Sequence, residues 1–226
     1  MIKTDLKFMR LPLACYYALS AAYIFLLILF PELFQPVSFV PDVIKSTIFY
    51  FTDFLLPLLA SCCIVLQLGN TLEKNTFQFL CTLPKNISMI LRWVFTVALI
   101  LPPYLISLAV SYFTLDQLRV SASFIRLLFI SGPNLLFFCT AALLLIILFR
   151  QIFYTFCILC GYTFIDLFMS ENLFREFSLF INVPGNYSKE VIDINRIGFC
   201  ILSITMFLIS LLLIKLKFLQ RFNGKV

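Results

Sequence analysis

The sequence predicts an all-α membrane protein with six transmembrane helices. An N-terminal amphipathic interfacial helix precedes them, an amphipathic helix follows the second span, and a short outer helical segment precedes the last. Three observations point there. Of the 226 residues 62% are hydrophobic and only 12% charged, with a mean hydropathy of +1.04, whereas a soluble domain is closer to half apolar and a quarter charged. Six apolar runs approach or exceed the roughly 20 residues needed to cross a hydrocarbon core. The basic residues between the runs fall mostly on one side.

The runs are Leu11–Phe30, Thr47–Leu68, Ile90–Phe113, Leu127–Phe149, Ile152–Met169 and Ile197–Ile214. The first follows Lys3, Lys7 and Arg10 and so invites a secretory-signal reading. It is too long for one, and "LFPELFQP" after it offers no small-residue cleavage site. Even span number puts both termini on one side. A cytoplasmic placement leaves 11 of the 17 Lys and Arg inside, from Lys3 to Lys225, and 6 outside: Lys45, Arg119, Arg126, Arg175, Lys189 and Arg196. The positive-inside rule favours that orientation. A plasma or bacterial inner membrane, multi-pass, is the expected setting.

Several function classes are excluded early. The net charge of +6 is scattered over flanks and loops, not gathered into a basic stripe with interleaved aromatics, so nucleic acid is not an expected partner. The chain has no His, which removes the commonest metal ligand and general base together. Its eight Cys lie mostly inside apolar runs and read as small hydrophobes, not as a disulfide framework. Cys157 and Cys160 form a CxxC within a span, with no His or further Cys beside it to make a redox or zinc site. Gly69–Thr76 has Lys74 where a phosphate-binding loop needs a second glycine. No catalytic residue, cofactor-binding residue or metal ligand is assigned, and an enzyme is not expected.

The parts between spans are more informative. From residues 1–12 into the residue that follows, Ile2, Leu6, Met9 and Leu13 share one stripe while Lys3, Lys7 and Arg10 follow the same period beside it. This is the pattern of an interfacial anchor helix, expected to end at Pro12. Residues 170–196 form the extracytoplasmic segment. Leu173, Phe177 and Phe180 suit either a short helix on the outer leaflet or a plain loop before the Pro184-Gly185 turn. Asn186-Tyr187-Ser188 matches the glycosylation acceptor pattern, relevant only to a secretory-pathway host. Asp53 and Asp166 lie within spans near their outer ends and are the candidates for a pathway or outer gate. Pro57, Pro102-Pro103 and Gly132-Pro133 are expected to kink spans two, three and four.

Residues 70–86 read "NTLEKNTFQFLCTLPKN". As a helix, Leu72, Thr76, Phe79, Leu80 and Leu83 share a face, Glu73, Lys74, Asn75 and Gln78 take the other, and Pro84 sets the end. This segment resembles the one that follows the second span in ABC-2-type transporter permeases, E-x-G-T-L-E-x-L-x-x-x-P. Glu73, Thr76, Leu80 and Pro84 match in register, with Leu83 leading into the proline. Asn75 stands where the family has Gly, Gln78 where it has Glu, and Thr71 where a further acid is frequent.

The resemblance implies a single permease domain over residues 1–226, the transmembrane subunit of an ATP-binding-cassette exporter. It implies a coupling helix that docks on a cytosolic ABC ATPase subunit through Glu73, Lys74, Thr76, Phe77, Phe79, Leu80, Leu83 and Pro84. ATP and Mg would be held by that partner, with no cofactor on this chain. A second permease copy, identical or a sister subunit, is implied, with spans two and five lining the seam. The passenger would be an amphiphile such as an antimicrobial or toxic peptide, a drug or a lipid. Three alternatives share parts of the plan. A haem-exporter-like subunit of cytochrome c maturation has six spans, but here no His offers a ligand. A non-ABC secondary transporter would need charges deep in the membrane. A membrane sensor or anchor within an ABC complex fits the same spans.

Overall fold

The computed structural model describes residues 2–30, 50–73, 85–114, 123–169, 178 and 189–223. Among them are six α-helices and no strand: α1 (Ile2–Leu29), α2 (Leu56–Glu73), α3 (Lys85–Thr114), α4 (Phe124–Phe149), α5 (Ile152–Met169) and α6 (Lys189–Asn223). A π-helical stretch, Tyr50–Leu55, leads into α2. Five segments are long and apolar enough to cross a membrane: Leu11–Leu29, Phe51–Gly69, Met89–Thr114, Phe124–Phe149 and Glu190–Leu216. The apolar stretch of α5, Ile152–Phe168, is shorter. The chain is therefore a multi-span helical membrane protein.

The bundle is built around α4 and α2. Of their spanning windows 67% and 61% are buried, against 22% in α1 and in α6, which places the latter two at the periphery. Helix α6 packs chiefly on α4, and α1 lies across α2 and α3. Tyr23 of α1 stacks on Phe51 at 3.8 Å, so α1 ends where α2 begins and the two run antiparallel. The outer faces of α1, α5 and α6 present Phe25, Ile28, Phe153, Phe168, Ile201 and Leu212. In water such a surface would aggregate; against lipid tails it is the ordinary solvent-facing side.

Two sequence expectations are corrected. Helix α1 does not end at Pro12 but runs through it. Within lipid a proline is tolerated where neighbouring groups re-satisfy the freed backbone, and the basic N-terminal turns carrying Lys3, Lys7 and Arg10 are continuous with the span. The last helix starts at Lys189, not at Ile197, so the final eight residues of the 170–196 segment are helical and Arg196 lies within the spanning stretch. Helix α2 shows no exposed side chain from Phe51 to Gly69. Leu58, Leu59, Cys62 and Leu66 are half-buried there.

The connection between α4 and α5 is two residues, Arg150 and Gln151. Arg150 takes a left-handed conformation (φ 56°, ψ 17°) and its N–H caps the Ile146 carbonyl; it is the sole non-glycine residue with positive φ among those described. At the other end of α4, Ser123 is the N-cap and accepts from the Arg126 N–H at 3.3 Å. The tight α4–α5 turn brings Ile152 against Gly69 of α2. A Cβ on Gly69 would sit 2.2 Å from Ile152 Cγ1 and 3.3 Å from Ile146 Cδ1, whereas one on Gly161 would meet nothing within 4 Å. Gly69→Ala is accordingly expected to destabilise by about 1–3 kcal/mol through overpacking, with Gly161→Ala close to neutral. Thermal unfolding of the two variants in the same detergent separates them.

Candidate functional site

A proline at position i has no N–H for the carbonyl at i−4. Pro57 sits at the second position of α2, and its i−4 carbonyl is that of Asp53, in the π-helical turn. That carbonyl accepts instead from Asn134 Nδ2 of α4 at 3.3 Å. The other amide atom of Asn134, Oδ1, accepts from Arg196 Nη1 of α6. The Arg196 Nη2 in turn lies 3.6 Å from Asp53 Oδ2, with side-chain exposures of 0% and 1%. Thr52 Oγ1 donates to Asp53 Oδ1 at 3.4 Å. The result is a closed circuit linking α2, α4 and α6: carbonyl, amide, guanidinium, carboxylate.

Two further helices reach it. Asp166 of α5 is fully buried and interacts electrostatically with the same guanidinium. Tyr104 of α3, 1% exposed, interacts with both Asp53 and Arg196, and its hydroxyl has no hydrogen-bond partner among the described residues. Tyr16 of α1 adjoins Tyr104. Five of the six helices and the π-helical turn ahead of α2 thus send a polar side chain toward one place in the bundle.

The site has a floor and a rim. One turn along α4, Phe137 meets Tyr162 of α5 at 5.6 Å and Phe199 of α6 at 5.1 Å. Those rings stand one turn from Asn134, Asp166 and Arg196 respectively, so an aromatic layer closes the site toward the end where α4 gives way to α5. Toward the opposite end Arg126 of α4 forms a two-pronged pair with Asp193 of α6, at 3.1 and 3.5 Å, about a third exposed. Nearby, Tyr23 and Ser111 share a hydroxyl–hydroxyl bond of 2.8 Å, and Asn195 Nδ2 donates to the Ser178 carbonyl at 3.1 Å. We call this the upper end.

The two carboxylates singled out from the sequence, Asp53 and Asp166, are therefore brought together, but not at a watery helix end. Both are buried, gathered around one arginine. Sequence reasoning missed that arginine because Arg196 was counted among the outer loop cations. Two in-span acids near the outer ends were the available signal, since the in-span base, Arg92, starts span three at the opposite end and leaves a cation to be sought within one turn of an apolar run. Asn134, after Gly132-Pro133 in an otherwise apolar span, was a second. Of the proposed coupling residues, Glu73 closes α2, and Lys74, Thr76, Phe77, Phe79, Leu80, Leu83 and Pro84 lie outside the described residues, as does most of the 170–196 segment.

The described cysteines, Cys15, Cys62, Cys63, Cys139, Cys157, Cys160 and Cys200, are free thiols. Among the described residues no group of three His, Cys, Asp or Glu side chains is placed to hold a metal ion. No family model, curated protein or solved structure matches the chain.

Removing one member of a buried ion pair strands the other charge, at a cost of about 3–5 kcal/mol. Arg196→Met is expected to lose stability on that scale, and adding Asp53→Asn to it is expected to restore part of the loss. Arg126→Ala, which breaks the partly exposed pair at the rim, is expected to cost about 0–1 kcal/mol. Denaturant unfolding of the purified chain in micelles, run as a double-mutant cycle, measures all three.

Proposed function

We propose that the chain is the membrane-spanning permease subunit of an ATP-driven ABC exporter, crossing the membrane six times with both termini in the cytoplasm. It moves an amphiphilic substrate outward and is powered by a separate cytosolic ATPase. One observation carries this proposal: the Glu73–Pro84 segment, matching the permease coupling pattern, falls between two spanning helices. The geometry is compatible with it. Helix α2 ends at Glu73 and α3 begins at Lys85, so the segment joins them at the end opposite the charged cluster. The same end of the bundle holds the α1 start, with Lys3, Lys7 and Arg10, and the α6 end, with Lys215 and Lys217. A basic, cytoplasm-facing end is what a docked ATPase requires of the orientation.

In this picture the upper end faces outward and the Arg196 cluster is the outer gate. It ties α2, α4, α5 and α6 together above the aromatic layer, and a passenger would leave only after those ties part. The open face of α5, with Phe153, Ile158, Phe164 and Phe168 exposed, is the surface for a second permease copy.

A second reading is favoured by a different observation. Ionisable groups buried within spanning helices are expensive and mark ion or proton pathways by default. Asp53, Asp166 and Arg196 supply the deep charges that a secondary transporter needs, with no ATPase involved. The two readings separate on one experiment. The tagged chain, purified from its native membrane, is expected to bring down an ATPase and to stimulate ATP hydrolysis in vesicles. Charge reversal by Glu73→Lys and helix breaking by Phe79→Pro are expected to abolish both. Stimulation that survives both substitutions overturns the coupling model, and purification without any ATPase favours the secondary transporter.

A further inference from the structure

Helices α1 and α3 run parallel along a shared seam. Tyr17 of α1 donates to the Leu99 carbonyl of α3 at 2.7 Å, and higher up Tyr23 of α1 and Ser111 of α3 share their 2.8 Å bond. Seven residues make close to two helical turns, so a step of seven down each helix returns to the same face. From Tyr23 that step reaches Tyr16, and from Ser111 it reaches Tyr104. Ser20 of α1 and Ser107 of α3 stand between, three or four residues from each end and so on the same faces. Three hydroxyls of α1 and three of α3 thus share one interhelical seam, and every one of these residues is at most 5% exposed.

The seam is unevenly satisfied. Ser20, Ser107 and Ser111 each donate to the carbonyl four residues back, and a hydroxyl that donates still has lone pairs with which to accept. At the lower end the Tyr16 and Tyr104 hydroxyls have no hydrogen-bond partner among the described residues, although their residues are 0% and 1% exposed. The two side chains adjoin each other. A hydroxyl left dry in such a place bears its full desolvation cost. In native proteins buried polar groups of this kind are met by protein or by ordered water. Here the seam itself offers the further partners that a water needs, and its middle carries serines where a leucine or phenylalanine would otherwise pack.

We propose that the α1–α3 seam is an internal water-binding site, in which ordered water joins the Tyr16 and Tyr104 hydroxyls to the oxygens of Ser20 and Ser107 and to the Tyr23–Ser111 pair. The track is about 10 Å long at 1.5 Å per residue. It begins at the upper end and finishes where Tyr104 meets Asp53 and Arg196. Water held there gives the buried ion pair a hydrated flank on the side of α1 and α3. The site depends on neither transport reading, since hydroxyl positions alone define it.

X-ray radiolytic footprinting of the full chain in lipid nanodiscs tests this, because a buried side chain is oxidised promptly only where water lies against it. Tyr16 and Tyr104 are expected to label well above Phe138, an equally buried ring on α4. Ser107→Leu, which fills the seam, is expected to abolish labelling of both tyrosines. Tyr104→Phe, which removes one partner and keeps the ring, is expected to lower labelling at Tyr16. Wild-type labelling of Tyr16 and Tyr104 no higher than that of Phe138 overturns the site, as does labelling of Tyr16 that neither variant changes. Should Ser107→Leu fail to fold, as judged by circular dichroism, Tyr104→Phe decides by its thermal midpoint as well. A hydroxyl bound to water leaves the variant less stable than the wild type; a dry one leaves it equally or more stable, and that result also overturns the site.

Discussion

A guanidinium held at zero exposure in an apolar helical bundle is the constraint around which the rest of this structure is arranged. Arg196 cannot shed its charge, so its surroundings must supply acceptors that lipid cannot. Three neighbouring helices answer it. The π-helical turn ahead of α2 gives the Asp53 carboxylate, α4 gives the Asn134 amide oxygen, and α5 gives the second carboxylate. Between lipid and protein there is little hydrophobic difference to drive helices together. The polar circuit therefore gives a direction and a register to helices that Leu and Phe alone would leave free to slide.

The prolines show the same logic at the level of the backbone. Each one inside a span strips a carbonyl of its helical donor, and in hydrocarbon that oxygen must be met again. Pro57 frees the Asp53 carbonyl, which Asn134 then fills. Pro103 frees the Leu99 carbonyl, and the Tyr17 hydroxyl of α1 donates to it at 2.7 Å. In both cases the defect in one helix becomes the contact that fixes another, so these prolines act less as kinks than as sockets. Hydroxyls without such a task are hidden locally. Ser20, Thr96, Ser107, Ser203 and Ser210 each donate to the carbonyl four residues back, which keeps their polarity off the lipid face.

How much of this could be read from the chain depended on what each feature rests on. The spans follow from apolar length, which is a local property, and the helices lie close to where hydropathy puts them. Arg196 escaped because hydropathy ends a span at the first cluster of charges. Yet Glu190, Asp193 and Arg196 occupy the opening turns of α6, where helix geometry lets polar and apolar faces coexist. Asp53 and Asp166 were visible as in-span acids, but their convergence was not. It depends on how α2 and α5 pack against α4, and period alone does not specify packing partners. The coupling segment is the reverse case. It is legible only as a pattern of residue types, and its meaning comes from resemblance, not from any geometry around it.

One consequence joins the two ends of the molecule. Helix α2 and the turn before it carry Asp53 near one end and Glu73 at the other, about 30 Å apart at 1.5 Å per residue. Between them the chain shows no exposed side chain from Phe51 to Gly69, and at its lower end Gly69 is pressed against Ile152 with no room for a methyl group. Such a rod has little freedom to bend or rotate by itself within a close-packed interior. A push on Glu73 must either carry α4, and with it Asn134, along with α2, or part Asp53 from Arg196. The first leaves the cluster intact and shifts the bundle as a body; the second opens it at the upper end. A displacement passed along this rod reaches the ion pair, because α2 ends at Glu73 and the turn ahead of it carries Asp53.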